Sequence, residues 1–201
     1  EMERTLQVLD YAILVINGAD GVQGHTRTLW SLLKRYQIPT FIFINKMDQV
    51  GTDKAKVLAD LQNRLDEGCI DFSEMSEETY DSIAMCDEKA MEEYLESEKV
   101  EEDTIAEMIG SRKVYPCYFG SALKIEGVQE FMDGMSAYIE RNEQINNTDT
   151  GTCYFGAKVF KISRDPSGSR LTHLKVISGT LKVKDTLTGK TGRQQSKNES
   201  D

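Results

Sequence analysis

The sequence has no C-x-x-C pair: Cys69, Cys86, Cys117 and Cys153 are scattered, a spacing that argues against a zinc site and against a disulfide framework. No apolar run approaches the ~20 residues of a membrane-spanning helix, and no secretory signal opens the chain. The expectation is a soluble, cytoplasmic protein with no membrane partner. What the chain does have is charge, 29% of its 201 residues, alongside 39% hydrophobic residues, enough for a sizeable core.

The net charge of −10 conceals a polarity. Residues 64 to 113 hold 17 acidic and 5 basic side chains, a net of −12, whereas residues 151 to 201 hold 10 basic and 4 acidic ones, a net of +6. An acidic lobe steers toward a basic protein surface and a basic one toward nucleic acid. The plain alternative for the acidic run is a solvated helical face.

The chain begins at Glu1, not Met, within a helix-like stretch, as expected for a fragment. Tyr11 to Ile16 is a short continuous apolar run of the kind buried on both faces of a parallel sheet. Leu29, Leu32, Leu33 and Tyr36 recur at helical spacing, Pro39 marks a loop, and Phe41 to Ile44 is a second strand. Thr52 is positioned to cap a helix with Val57, Leu58, Leu61 and Leu65 as its stripe. Strand pattern resumes at Val114, and Val128, Phe131, Met132, Met135, Tyr138 and Ile139 line a closing helix.

This alternation predicts an α/β fold: a parallel sheet with flanking helices and a ligand site at the strands' carboxyl ends. Residues 66–113 are too long for an ordinary connection. They are expected to form an acidic helical insertion with a satellite core of Met85, Met91, Tyr94, Leu95, Ile105 and Met108. The predicted domain spans 1–141, and 142–152 reads as a polar linker. From 153 to 201 the pattern becomes that of a truncated β domain, with alternation over Ala157 to Ile162 and Leu171 to Ile177, and a further strand from Thr180 to Val183.

Two loops carry chemistry. The strand Phe41 to Ile44 runs into Asn45-Lys46-Met47-Asp48, and Ser121-Ala122-Leu123 follows the strand that begins at Val114. A guanine edge offers an N1 hydrogen and a 2-amino group side by side, and one fixed carboxylate accepts both. Asp48 is placed for that. Adenine lacks this edge, and a site built on specific hydrogen bonds rejects an analogue that leaves them unmade. Asn45 would tie the loop to neighbouring backbone, and the stem of Lys46 would cover the base. The Ala122 N–H would reach the guanine O6, and Ser121 would brace Asp48. A capped strand-to-helix loop is the bland alternative for the tetrapeptide alone.

The chain resembles translational GTPases of the elongation factor G family, including the tetracycline-resistance type of ribosomal-protection protein. The resemblance covers nearly the whole length. It rests on Glu3-Arg4-Thr5, Asp20-Gly21-Val22-Gln23, Ile44-Asn45-Lys46-Met47-Asp48-Gln49, Gly120-Ser121-Ala122, Val159-Phe160-Lys161-Ile162, Arg170-Leu171-Thr172 and Ser178-Gly179-Thr180-Leu181. Gln49 is similar to the ribosomal-protection branch, whereas Asp165-Pro166 with Ser178-Gly179-Thr180-Leu181 is closer to elongation factor G itself. The resemblance implies binding of GTP and GDP, with Asn45, Lys46 and Asp48 reading the base and Ser121, Ala122 and Leu123 closing over it, ribosome-stimulated hydrolysis, an insertion that docks the ribosomal stalk protein, and a β-barrel that contacts ribosomal RNA.

Several parts of such an enzyme are missing from these residues. The family's phosphate loop, Gly-x-x-x-x-Gly-Lys-Ser/Thr, has no match; Gly189-Lys190-Thr191 imitates its tail, but Lys184 stands where the first glycine belongs. The switch regions and the Asp-x-x-Gly-His box are absent too, and neither His25 nor His173 falls where a catalyst is needed. No catalytic residue and no metal ligand is assigned, and magnesium is expected only in a complete parent protein. The isolated chain is expected not to hydrolyse GTP and to bind it weakly. The alternative is a non-catalytic ribosome- or protein-binding module on a degenerate GTPase fold.

Overall fold

The computed structural model describes residues 5–147 and 155–184. Of the linker expected over 142–152, residues 142–147 are helical instead and belong to the last helix of the first unit, and 148–152 lie outside the described residues, as do Cys153 and Gly189-Lys190-Thr191. The chain divides into two compact units between Gly151 and Thr152.

The first unit is α/β. Strands β1 (Ala12–Asn17), β2 (Thr40–Asn45), β3 (Cys69–Asp71) and β4 (Tyr115–Phe119) form a parallel sheet in the order β1-β2-β4-β3. Helices α1 (Gly24–Arg35) and α2 (Lys54–Arg64) follow β1 and β2; α3 (Glu77–Ala84), α4 (Glu88–Ser97) and α5 (Glu102–Gly110) lie between β3 and β4; α6 (Val128–Asn147) follows β4.

β2 is the centre because its side chains are apolar on both faces. Ile42 and Ile44 join Leu14, Ile16, Trp30, Leu33, Leu61 and Cys117 in one core, while Phe41 and Phe43 join Ile70, Ile105, Val114, Tyr118 and Phe131 in the other. Alternate residues of a strand point to opposite faces, so a strand covered on both sides reads as continuous apolar sequence. Trp30 anchors the first core, donating Nε1–H to the Leu65 carbonyl at 3.1 Å and meeting Tyr115 edge-on at 4.6 Å between centroids.

Several expectations are corrected. β1 is an edge strand, and Ile13 and Val15 stand 46% and 59% exposed, so it is buried on one face only. Asp53, not Thr52, caps α2, accepting from the Lys56 N–H at 3.2 Å. Cys69–Asp71 belongs to the main sheet beside β4, a three-residue strand too short to show a period. The inserted helices share the core of Phe41, Phe43 and Tyr118 instead of building a satellite; Ile105 and Met108 are buried in it, but Met85 and Leu95 are exposed. Ser76 caps α3 and Asp87 caps α4 through their side chains, so each short helix starts on an oxygen acceptor.

In the second unit β5 (Gly156–Arg164) and β6 (Arg170–Ser178) pair antiparallel around the Asp165 to Gly168 turn, with a register shift between Val159 and Lys161. Thr180 to Val183 forms no strand; among the described residues, the ladder of this unit is that of β5 with β6.

Candidate functional site

The two predicted loops leave neighbouring strands. β2 and β4 pair through Ile42 with Cys117, Phe43 with Tyr118 and Ile44 with Phe119, all in parallel. Asn45 and Ala122, 77 positions apart in the chain, therefore emerge side by side at the carboxyl edge of the sheet. The ladder runs on beyond the strands: Gly120 N–H donates to the Ile44 carbonyl at 2.9 Å, and Met47 N–H donates to the Gly120 carbonyl at 3.0 Å. On the other flank, Gly18 N–H donates to the Asn45 carbonyl at 2.8 Å. A Cβ on Gly18 would lie 2.6 Å from Met47 Sδ and 3.2 Å from the Asn45 carbonyl oxygen, so the absence of a side chain permits this close approach.

Asn45 stitches the loops together. Its Oδ1 accepts from the Lys46 N–H at 2.8 Å and from the Ala122 N–H at 2.9 Å. The first bond holds Lys46 at φ +64°, a left-handed conformation that costs a non-glycine residue about 1–2 kcal/mol. The second engages the very N–H expected to reach a base. Thr52 supports the same loop from below, its Oγ1 2.8 Å from both the Met47 and the Gln49 carbonyl oxygens. Its hydroxyl therefore serves the motif loop while Asp53 takes the helix end.

Asp48 is held as a carboxylate. A hydrogen bond from the Ser121 hydroxyl is the main influence keeping its carboxyl below the usual range, and the Lys124 ammonium, 3.4 Å from Oδ2, acts in the same direction. Ser121 is almost fully buried, and the Asp48 side chain is 22% exposed. The result is an ionised acceptor flanked by Ser121 and Lys124 and still partly open to solvent. Such a group can receive two donors from a planar ligand edge.

The second loop is closed by a pair of backbone bonds: Ser121 N–H to the Glu126 carbonyl at 3.0 Å, and Glu126 N–H to the Ser121 carbonyl at 3.1 Å. Gly120 passes so near that a Cβ would lie 2.1 Å from the Glu126 carbonyl oxygen. Ile125 sits in the left-handed region at φ +60°, where a β-branched residue is an outlier.

Of the predicted site residues, Asn45 is thus bonded directly to the Ala122 N–H, and Ser121 influences the Asp48 carboxyl. Lys46 and Leu123 belong to the same two loops, with Leu123 92% exposed. Sequence reasoning missed Lys124, Gly18 and the role of Thr52. Only Lys124 left a trace, as the basic residue directly after Ser121-Ala122-Leu123. His25 lies in the first turn of α1, and His173, on β6, hydrogen-bonds Ser163 through Nε2 at 2.8 Å.

TetW, a tetracycline resistance protein of Butyrivibrio fibrisolvens, is 32% identical over 204 residues, a match that covers 93% of this chain and 31% of TetW. The crystal structure of a Thermus thermophilus protein is similar in fold, with a TM-score of 0.61 and 21% identity over 88% of this chain and 33% of that one. The chain thus spans about a third of the length of each. Residues 1–141 match the model of the elongation factor Tu GTP binding domain, and the chain belongs to that family.

Proposed function

We propose that this chain supplies the guanine-reading half of a ribosome-associated translational GTPase of the elongation factor G and ribosomal-protection type. The observation that carries this is the Asp48 carboxylate, ionised and braced by Ser121 where the loops after β2 and β4 meet. Asp48 accepts from the guanine N1–H and 2-amino group, and the stem of Lys46 covers one face of the base. Leu123 borders the other side, while Asn45 and Ser121 hold the geometry. The Ala122 N–H turns toward the guanine O6, sharing its donor with Asn45.

GTP and GDP are the nucleotides, and binding them places the phosphates beyond the residues named here. No Gly-x-x-x-x-Gly-Lys-Ser/Thr loop occurs in the 201 residues. Phosphate and magnesium binding therefore fall to other parts of a parent protein, and the 201-residue chain by itself does not turn over GTP. The partners are ribosomal. The acidic helices α3 to α5, with Met85 and Leu95 exposed, fit a stalk-protein surface. On the β hairpin, Lys158 is opposite Lys175 and Arg164 opposite Arg170, a placement of like charges that favours a polyanion such as ribosomal RNA.

The test is Asp48→Asn in the intact protein. An amide at this position donates where the carboxylate only accepted, so guanine nucleotides are lost and xanthine nucleotides, whose 2-oxo group accepts, are gained. Unchanged preference for GTP over XTP would refute the base-reading role.

A further inference from the structure

Lys124 is used by no part of the guanine scheme, yet its ammonium lies 3.4 Å from Asp48 Oδ2, and its side chain is half exposed. The distance is that of an ion pair and not of a tight hydrogen bond. Asp48 has two oxygens, and the buried Ser121 hydroxyl already donates to the carboxylate. A guanine edge needs both oxygens at once, because its two donors lie side by side. The carboxylate offers about four acceptor positions, of which Ser121 and the guanine edge take three, so an ammonium beside Oδ2 crowds the edge on which the base docks and draws on the same charge.

We propose that Lys124 is a competing counter-ion for Asp48, which the base must displace, and that it thereby sets the affinity of the pocket for guanine. This inference rests on the guanine reading of the loops and concerns a residue that the motif does not include. The lysine is suited to the task. Its four-carbon stem swings into solvent without disturbing backbone, and its neighbours on the loop are fixed independently by the Ser121 and Glu126 backbone bonds. A lysine pairing with Asp48 has a second effect: it covers the charge of a carboxylate that would otherwise face solvent uncompensated. Pairs this exposed are weak and screened by salt, so the effect is a modest tuning of affinity, not an on-off switch.

The experiment is a titration of the isotope-labelled 201-residue chain with GMP, and with AMP as control, for the wild type, Lys124→Met and Lys124→Arg. Amide shifts of Lys46 and Ala122 report binding, and the Asp48 carboxyl resonance reports the ion pair in the absence of nucleotide. The expected result is GMP binding about two- to fivefold tighter in Lys124→Met, wild-type affinity in Lys124→Arg, and a gap that closes at about 1 M salt. The Asp48 carboxyl should titrate higher in Lys124→Met than in the wild type.

Equal or weaker GMP binding by Lys124→Met overturns the proposal while leaving the guanine pocket intact. So does an unmoved Asp48 titration. Failure of all three chains to distinguish GMP from AMP removes the guanine reading itself, and the proposal with it.

Discussion

Replacing Asn45 by alanine tests whether one side chain couples the two loops. The change removes an acceptor shared by the Lys46 N–H at 2.8 Å and the Ala122 N–H at 2.9 Å. Each bond contributes a net ~0.5–1.5 kcal/mol, and because both amides lie near solvent the lower half of that range applies, giving a total loss of about 1–2 kcal/mol. Lys46 also loses the bond that supports its left-handed backbone. In a unit of this size such a loss lowers Tm by roughly 2–8 °C. The denaturant slope should not change, since the folded state stays as compact. Fluorescence of the buried Trp30, the only tryptophan, follows the transition in urea, and amide exchange at Ala122 reports the local bond. Asn45→Asp, which keeps an acceptor oxygen, should retain most of the stability. A change within about 0.5 kcal/mol, the usual range for a neutral surface substitution, with Ala122 exchange unaltered, would refute the coupling.

Ile125→Asn should stabilise the chain by about 0.5–1 kcal/mol, because asparagine tolerates the left-handed region and Ile125, 73% exposed, gives up little burial; an unchanged or lowered Tm would count against strain at this position. Asp87 caps α4 and pairs with Lys113, whose hydrogen bond is the main influence holding the Asp87 carboxyl below its ordinary value. A carboxyl depressed in the folded state contributes fully above its unfolded pKa of about 4 and loses that contribution as pH falls through the folded value. The stability gap between wild type and Asp87→Asn, about 1 kcal/mol for a partly exposed pair, should therefore hold from neutral pH down to about 5 and shrink below 4. A gap that does not narrow in acid would show that the charge of Asp87 contributes nothing.

Several elements were legible because local pattern and tertiary role agree. Phe41 to Ile44 reads as a doubly buried strand and is one, since no polar residue interrupts it. The tetrapeptide after it, proposed here to read a guanine base, stood out because such a role demands particular side chains at fixed spacing. Where the local pattern was silent or shared between roles, the outcome differed. Cys69–Asp71 has too few residues to express a strand period, and only pairing with β4 makes it one. Thr52 and Asp53 are both good caps, and the choice fell to Asp53 once the Thr52 hydroxyl was taken by the Met47 and Gln49 carbonyls. Met85 and Leu95 carry apolar side chains in amphipathic helices, yet those helices pack a single face on the sheet and leave both residues outside.

The sequence by itself determined the α/β class and the family, and it singled out the two loops proposed to read the base, because each depends on residue type and short spacing. Tertiary structure alone decided that β4 lies beside β2 with β3 outside it. That order places Ala122 against Asn45, and Ser121 and Lys124 beside Asp48, contacts between residues more than 70 positions apart. No local pattern encodes them, because strand order is settled by which apolar faces the helices bury, and that is a property of the whole sheet.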